Sequence, residues 1–299
     1  MRVTFALGIV AVAIGLLATS ASATFRGRDG AVLAMGPPVD VSELATIAYV
    51  PTDGGAERVL GLGQYPVWSP RGDVFAYATW RKIYVATTDG YAITSHRRLI
   101  TVQEPIQLWE LAWFPGGTRL AYVWLNKDTD TSDIHTLSVA TARHRSRLTF
   151  AKKGWSNGEP AVSPKGRWIA YVQCSRASRA CNLRLMRTDG SDQHTIVAVP
   201  PWRVVRPVWS PGGRRIGFSL CGINRCSGWI YDVATHKRRR VPGETIEAFA
   251  PDGAHLLVFD TVKSRKECGE GLFVTDLYGK HRRLLAGDCL AFADWQALR

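Results

Sequence analysis

Trp68-Ser69-Pro70-Arg71-Gly72 is the stretch that decides the fold, because the chain returns to it at near-regular intervals. It stands again as Trp113-Phe114-Pro115-Gly116-Gly117, Val162-Ser163-Pro164-Lys165-Gly166, Trp209-Ser210-Pro211-Gly212-Gly213 and Phe249-Ala250-Pro251-Asp252-Gly253. A degenerate first copy sits at Arg28-Asp29-Gly30. Proline presets φ at the first corner of a tight turn, and glycine supplies the positive φ that closes it. The large residue two places before the proline belongs to the strand entering the turn. A β-prone run leaves each turn, at residues 74–78, 120–124, 168–172, 216–220 and 256–259. The turns start at 28, 70, 115, 164, 211 and 251, a period of 40 to 49 residues. Units of that size with four short strands each mark a β-propeller.

One unit shows the grammar of the rest. A first strand ends at Val67-Trp68, a second covers 74–78, a third 82–87, and a fourth 97–102 after the Thr88-Asp89-Gly90 turn. Third strands recur at 134–139, 183–187, 229–233 and 272–276, and Asp189-Gly190 repeats the tight connection between antiparallel strands. Helical periodicity is absent after residue 23, so an all-β chain is expected. The two ends complete each other. The chain opens on a first-to-second-strand turn, and Asp294-Trp295-Gln296-Ala297-Leu298 reads as an entering first strand, with Ala297 in the turn-proline place 46 residues after Pro251. The expectation is one six-bladed propeller over residues 24–299, four strands per blade, its ring closed by the C-terminal strand.

Residues 1–23 read as a leader rather than as fold. Arg2 is a brief basic start, residues 5–18 are a 14-residue apolar run, and Ala21-Ser22-Ala23 offers small residues for cleavage. The run is short for a membrane span, so membrane contact is expected only through this segment if it stays uncleaved. A secreted or periplasmic monomer is the expectation. The six cysteines agree with an oxidising compartment. Cys174 and Cys221 fall at the end of second strands, and Cys181 and Cys226 where third strands begin, so Cys174–Cys181 and Cys221–Cys226 are expected as local disulfides. Cys268 and Cys289 remain as the third pair. Their spacings give no tetrahedral metal set.

The order Pro66-Val67-Trp68-Ser69-Pro70-Arg71-Gly72, apolar strand, Ile83-Tyr84-Val85, Thr88-Asp89-Gly90, Arg97-Arg98-Leu99 resembles the TolB-type β-propeller repeat. The likeness runs over essentially all of residues 24–299. It implies that Trp68, Trp113, Trp209, Phe249 and Trp295 wedge between blades, with Val162 as a smaller substitute. TolB itself carries a separate N-terminal domain for which this sequence has no counterpart after the leader. Pal binding and a Tol-system role therefore do not follow. The same repeat occurs in propellers attached to prolyl-oligopeptidase-type hydrolases, and no such domain is expected here. A repeat of this kind fixes a fold and leaves the function to be argued from a site.

Motifs of catalysis are sparse in the sequence: there is no His-Glu-x-x-His and no Gly-x-x-x-x-Gly-Lys, and the Gly-x-Ser-x-Gly spacing occurs once, at Gly154-Trp155-Ser156-Asn157-Gly158, without the helical pattern that a nucleophile elbow leads into. His96, His144, His194, His236 and His281 fall in or beside fourth strands, so no converging histidine cluster is expected. Residues 126–133, Asn-Lys-Asp-Thr-Asp-Thr-Ser-Asp, resemble a calcium loop, but Thr131 replaces the required glycine and Leu137 the bidentate glutamate. No metal or cofactor is expected. The net charge of +13 gathers at His96-Arg97-Arg98, Arg143-His144-Arg145-Ser146-Arg147, Lys237-Arg238-Arg239-Arg240 and Lys280-His281-Arg282-Arg283, each on or just before an outermost strand. Charged outer edges block edge-to-edge pairing, and they also attract anions. Nucleic acid is not an expected partner of an exported chain without an aromatic-interleaved basic groove.

The connections from each fourth strand to the next first strand carry the binding candidates: Tyr65, Trp109 with Glu110, Trp155 with Glu159, and Trp202 with Arg206. In a propeller these connections and those between second and third strands share one face, so the residues would crowd one rim of the channel. Large aromatics beside charges are the composition of recognition surfaces. The reading is a non-enzymatic binding module whose partner is a protein or an anionic envelope polymer. A small exported carbohydrate lyase or hydrolase working at the same mouth is the alternative.

Overall fold

The computed structural model of the 299-residue chain describes residues 25–38, 44–142, 145–223, 225–242, 245–260, 271–287 and 290–298. The leader and the Cys268–Cys289 pair lie outside the described residues. Every regular element among those described is a strand, as the period-two patterning requires. β1 (Arg28–Pro38), β2 (Ala45–Val50) and β3 (Arg58–Leu62) open the chain. β4 (Gln64–Trp68), β5 (Phe75–Thr79), β6 (Lys82–Thr88) and β7 (Ile93–Thr101) form an antiparallel meander. β8 (Ile106–Trp113), β9 (Arg119–Asn126), β10 (Thr131–Ser138) and β11 (Arg145–Arg147) form the next.

Two further meanders follow, β12 (Trp155–Val162), β13 (Trp168–Ser175), β14 (Cys181–Arg187), β15 (His194–Val197), and β16 (Arg203–Trp209), β17 (Arg215–Cys221), β18 (Cys226–Asp232), β19 (Arg238–Val241). One parallel bridge, Cys181 to Arg203, merges them into a single eight-stranded sheet. β20 (Thr245–Phe249), β21 (His255–Asp260), β22 (Gly271–Asp276) and β23 (Arg283–Ala286) make the last. β24 (Ala291–Leu298) returns to pair with β1, giving the order β24-β1-β2-β3 with Val32 opposite Trp295. The first strands touch in succession: β24 meets β4, β4 meets β8, β8 meets β12, β12 meets β16, β16 meets β20, and β20 meets β24.

The recurring turn forms as its residues dictate. Gly72 N–H donates to Ser69 C=O at 2.9 Å with Gly72 at φ 70°, and Gly253 repeats this at φ 76°. The first copy departs from expectation. Arg28-Asp29-Gly30 is strand, with Arg28 opposite Leu298 and Asp29 opposite Ala297. No covalent link runs from β24 to β1, so the ladder continues where the other copies must turn.

The core lies between the sheets. Trp68, Trp113, Val162, Trp209, Phe249 and Trp295 are all buried at the ends of first strands. Three of the indoles also tie strands together: Trp113 Nε1 donates to Val67 C=O at 3.1 Å, Trp209 Nε1 to Ala161 C=O at 3.0 Å, and Trp295 Nε1 to Gly30 C=O at 3.1 Å. Trp68 Nε1 is buried with no hydrogen-bond partner. The fourth strands carry their charges to solvent, as at His96, Arg97 and Arg98 of β7. Disulfides Cys174–Cys181 and Cys221–Cys226 close the β13–β14 and β17–β18 hairpins.

Candidate functional site

Each first strand interrupts its ladder with a bulge. The register shifts between Gln64 and Val67, Trp109 and Leu111, Gly158 and Ala161, Val205 and Val208, and Ile246 and Ala248. Within these bulges Tyr65, Glu110, Glu159 and Arg206 adopt left-handed φ values of 54°, 45°, 52° and 57°, and Phe292 of β24 does so at 54°. All five stand three residues before the wedge residue of their strand. These positions belong to β4, β8, β12, β16 and β24 rather than to the connections, which corrects the placement expected from sequence. Pro66, Pro160 and Pro207 directly follow three of them, and a proline inside a strand is the signal that marks a bulge.

A bulge frees a main-chain N–H from its ladder, and burying it without a partner is costly. Carboxylates of neighbouring first strands take up that duty. Glu110 Oε2 accepts from Glu159 N–H at 2.5 Å, and Glu159 Oε2 in turn accepts from Arg206 N–H. At the β24 bulge Glu247 Oε2 accepts from Ala293 N–H at 3.4 Å, and beyond the β4 bulge Asp294 Oδ2 accepts from Trp68 N–H at 2.6 Å. The Arg206 guanidinium pairs with Glu247 Oε1, which also receives Thr245 Oγ1 at 2.8 Å. That guanidinium lies 4.7 Å from the Phe292 ring centre, and Tyr65 meets Phe292 edge-on at 5.8 Å. Tyr65, Glu110, Glu159, Arg206, Glu247 and Asp294 are all buried. Burial, then the charges of Glu110 and Glu159, hold the Tyr65 phenol well above its usual range. Burial brings Arg206 down to about 10 against the pull of Glu159.

The three tryptophans stand apart from this centre. Trp109 is half-buried against Trp80, ring centres 6.2 Å apart. Trp155 begins β12 opposite Ser175, exposed, beside the hairpin that Cys174–Cys181 closes. Trp202 lies between β15 and β16, half-buried, with its ring against Gly222 and the Arg225 guanidinium 5.8 Å from its centre. Arg203 Nε points to Cys181 Sγ at 3.5 Å. Trp155 and Trp202 thus flank two disulfide-closed hairpins, with exposed Lys152, Lys153, Arg176, Arg179, Arg225 and Ile223 around them.

Two cavities lie elsewhere. One of about 690 Å³ includes Trp124, Asn126, Asp133, His135 and Arg147. There the calcium-like stretch satisfies itself: Asn126 Oδ1 caps the N–H groups of Asp128 and Thr129, and Asp133 accepts from Arg147, Thr149, Ala151 and Asn157. The other, about 440 Å³, is lined by Asp29, Thr52, His255, Asp276, His281 and Trp295 among others. It brings His255 and His281 onto one cavity, a convergence that their sequence positions did not foretell.

No family model matches this sequence, and no curated protein does. Solved structures do resemble it. TolB from Acinetobacter baumannii superposes with a TM-score of 0.71 at 15% identity, over 90% of this chain and 67% of that one. An oligogalacturonate lyase from Vibrio parahaemolyticus gives 0.59 at 12% identity, over 90% and 79%. A chain of a nidogen/laminin complex gives 0.66 at 11% identity, over 89% and 98%. A lyase and a chain of a nidogen/laminin complex share this architecture, so the likeness carries fold and not function. The chain has the fold of a TolB-like β-propeller.

Proposed function

We propose that this chain is an exported, non-enzymatic binding module: a six-bladed ring closed by β24, acting as a monomer through the mouth of its channel on an anionic polymer outside the cytoplasm. The succession of touching first strands and the β24–β1 ladder support the ring. Two disulfides suit an oxidising compartment. The observation that carries the binding reading is Trp155 and Trp202 set among cations on cross-linked hairpins. Rigid aromatics on fixed supports lose little entropy on binding. The central carboxylates instead hold neighbouring strands by accepting main-chain N–H groups, a structural task rather than acid–base chemistry. Histidine–carboxylate pairs, His194–Asp192, His255–Asp252 and His281–Asp276, stand in turns on the opposite face from this mouth.

The test is binding of heparin and polyglutamate by the purified chain. Trp155→Ala and Trp202→Ala should each weaken capture about thirtyfold, the effect of losing roughly 2 kcal/mol, with the melting temperature nearly unchanged. Arg225→Glu should flatten the salt dependence. Arg206 is unsuited to that role, since it is buried against Glu247. If all three variants bind as the parent does, the mouth is not the site. Cleavage of a polymeric probe would favour the lyase or hydrolase reading instead.

A further inference from the structure

Asp29, Asp252 and His255 offer one donor atom each, and the three atoms all lie within 4.8 Å of one another. They come from two different sheets. Asp29 is on β1, while Asp252 and His255 belong to the β20–β21 turn and the start of β21. His255 Nδ1 lies 3.0 Å from Asp252 Oδ2, and Asp252 N–H approaches Asp29 Oδ1 at 3.4 Å. The other Asp252 oxygen, Oδ1, is occupied by the Ala254 N–H of its own turn at 2.7 Å, which leaves Oδ2 on the donor side. All three side chains are exposed; Asp29 and His255 line the 440 Å³ cavity, whose wall also holds the His281–Asp276 pair.

The surrounding charge makes this grouping unusual for the chain. The protein has 38 Lys and Arg residues and a net charge of +13, yet among the described residues no lysine or arginine forms an ion pair with Asp29 or Asp252. Elsewhere its acids do take such partners, as Asp133 takes Arg147 and Asp130 takes Arg176. Two carboxylates brought together across a sheet boundary repel unless a cation sits between them. Two oxygens and one imidazole nitrogen suit a borderline divalent ion, whose ligand atoms at about 2.0–2.2 Å from the metal lie roughly 3–3.5 Å apart.

We propose that Asp29, Asp252 and His255 bind a divalent ion of the Mn²⁺-to-Zn²⁺ class, with water in the remaining positions, and that the ion clips the last meander to the first. The site lies on the face opposite the channel mouth, because Asp252 sits in a first-to-second-strand turn. It is therefore independent of the polymer-binding reading. Its function is to lock the boundary at which the two ends of the chain meet.

The experiment uses chain stripped with a chelator and then titrated calorimetrically with Mn²⁺, Zn²⁺ and Ca²⁺, with thermal unfolding in parallel. One equivalent of Mn²⁺ or Zn²⁺ should bind and raise the melting temperature, with Ca²⁺ at least tenfold weaker for want of oxygen ligands. Asp29→Asn and His255→Gln should each weaken binding at least tenfold and remove the thermal gain, while melting like the parent without metal. Asp192→Asn, which alters another exposed His–Asp pair at His194, should leave both readouts unchanged. Three results would overturn the proposal: no binding at millimolar Mn²⁺ and Zn²⁺, binding indifferent to Asp29→Asn and His255→Gln, or equal weakening by Asp192→Asn.

Discussion

Glu110 and Glu159 are joined by a hydrogen bond of 2.5 Å, from the main-chain N–H of Glu159 in β12 to the carboxylate of Glu110 in β8. The acceptor is a buried carboxylate and the donor is an N–H within the β12 bulge. Both conditions make the bond stronger than a neutral one in water. Glu110→Ala should cost about 2–3 kcal/mol in denaturant unfolding, because the buried Glu159 N–H loses its carboxylate acceptor. Glu110→Gln, which retains an oxygen acceptor, should cost about half of that. A Glu110→Ala protein within about 0.5 kcal/mol of the parent would show that the carboxylate does not hold the strand.

The buried tryptophans divide into two kinds. Trp113 and Trp209 donate their indole N–H to a neighbouring first strand, whereas Trp68 Nε1 has no partner. Phenylalanine at 113 or 209 should lose that bond and strand a carbonyl, for about 1–2 kcal/mol beyond the loss of volume. At position 68 the same change removes an unsatisfied donor and should be the mildest of the three. Equilibrium unfolding of Trp68→Phe, Trp113→Phe and Trp209→Phe ranks them directly; a ranking with Trp68→Phe worst would refute the assignment.

Closure of the proposed ring rests on the last strand. Deleting residues 294–299 removes Trp295 and the carboxylate of Asp294, which accepts the Trp68 N–H at 2.6 Å. It also bares the inner edge of β1, which otherwise pairs with β24. Loss of cooperative unfolding and concentration-dependent aggregation are the expected outcome. A truncated chain that melts with the parent's midpoint and sharpness would rule out this role for β24.

The turns and the strand order were legible because they depend on local chemistry: proline, glycine and alternating apolar residues act over five or six positions. The two local disulfides followed from the same register. The bulges were not read, although Tyr65-Pro66, Glu159-Pro160 and Arg206-Pro207 announced them. The expected connection therefore absorbed the start of each first strand, and residues of the central hydrogen-bond chain were set on a rim. What joined Glu110 to Glu159, or Asp29 to Asp252, is contact between sheets 49 and 223 residues apart in sequence. No local pattern encodes such a meeting.

Alkaline pH should destabilise the protein, with Tyr65 a contributor. Its phenol is held well above the ordinary value of 10.0 by burial and by two nearby carboxylates. Unfolded tyrosine releases its proton near pH 10 while the folded residue retains it. Stability is therefore complete below pH 10 and falls above it, by at most about 1.36 kcal/mol per pH unit for one group. Tyr65→Phe should reduce that slope without abolishing it, since Tyr77 is also pushed up, to about 12. Unfolding curves between pH 9 and 11 give the answer, and an unchanged slope in the variant would refute it.

The one parallel bridge among the described residues, between Cys181 and Arg203, has a consequence for how the molecule opens. It couples two meanders, each already cross-linked at a hairpin tip, into one sheet. Residues 155–241 should thus behave in hydrogen exchange as a single cooperative block and be the last to yield their amides. Fluctuations that separate a sheet from its neighbour would fall instead on the boundaries without a shared strand ladder. Motion in the molecule should then be unevenly apportioned, with one stiff sector and a more compliant remainder.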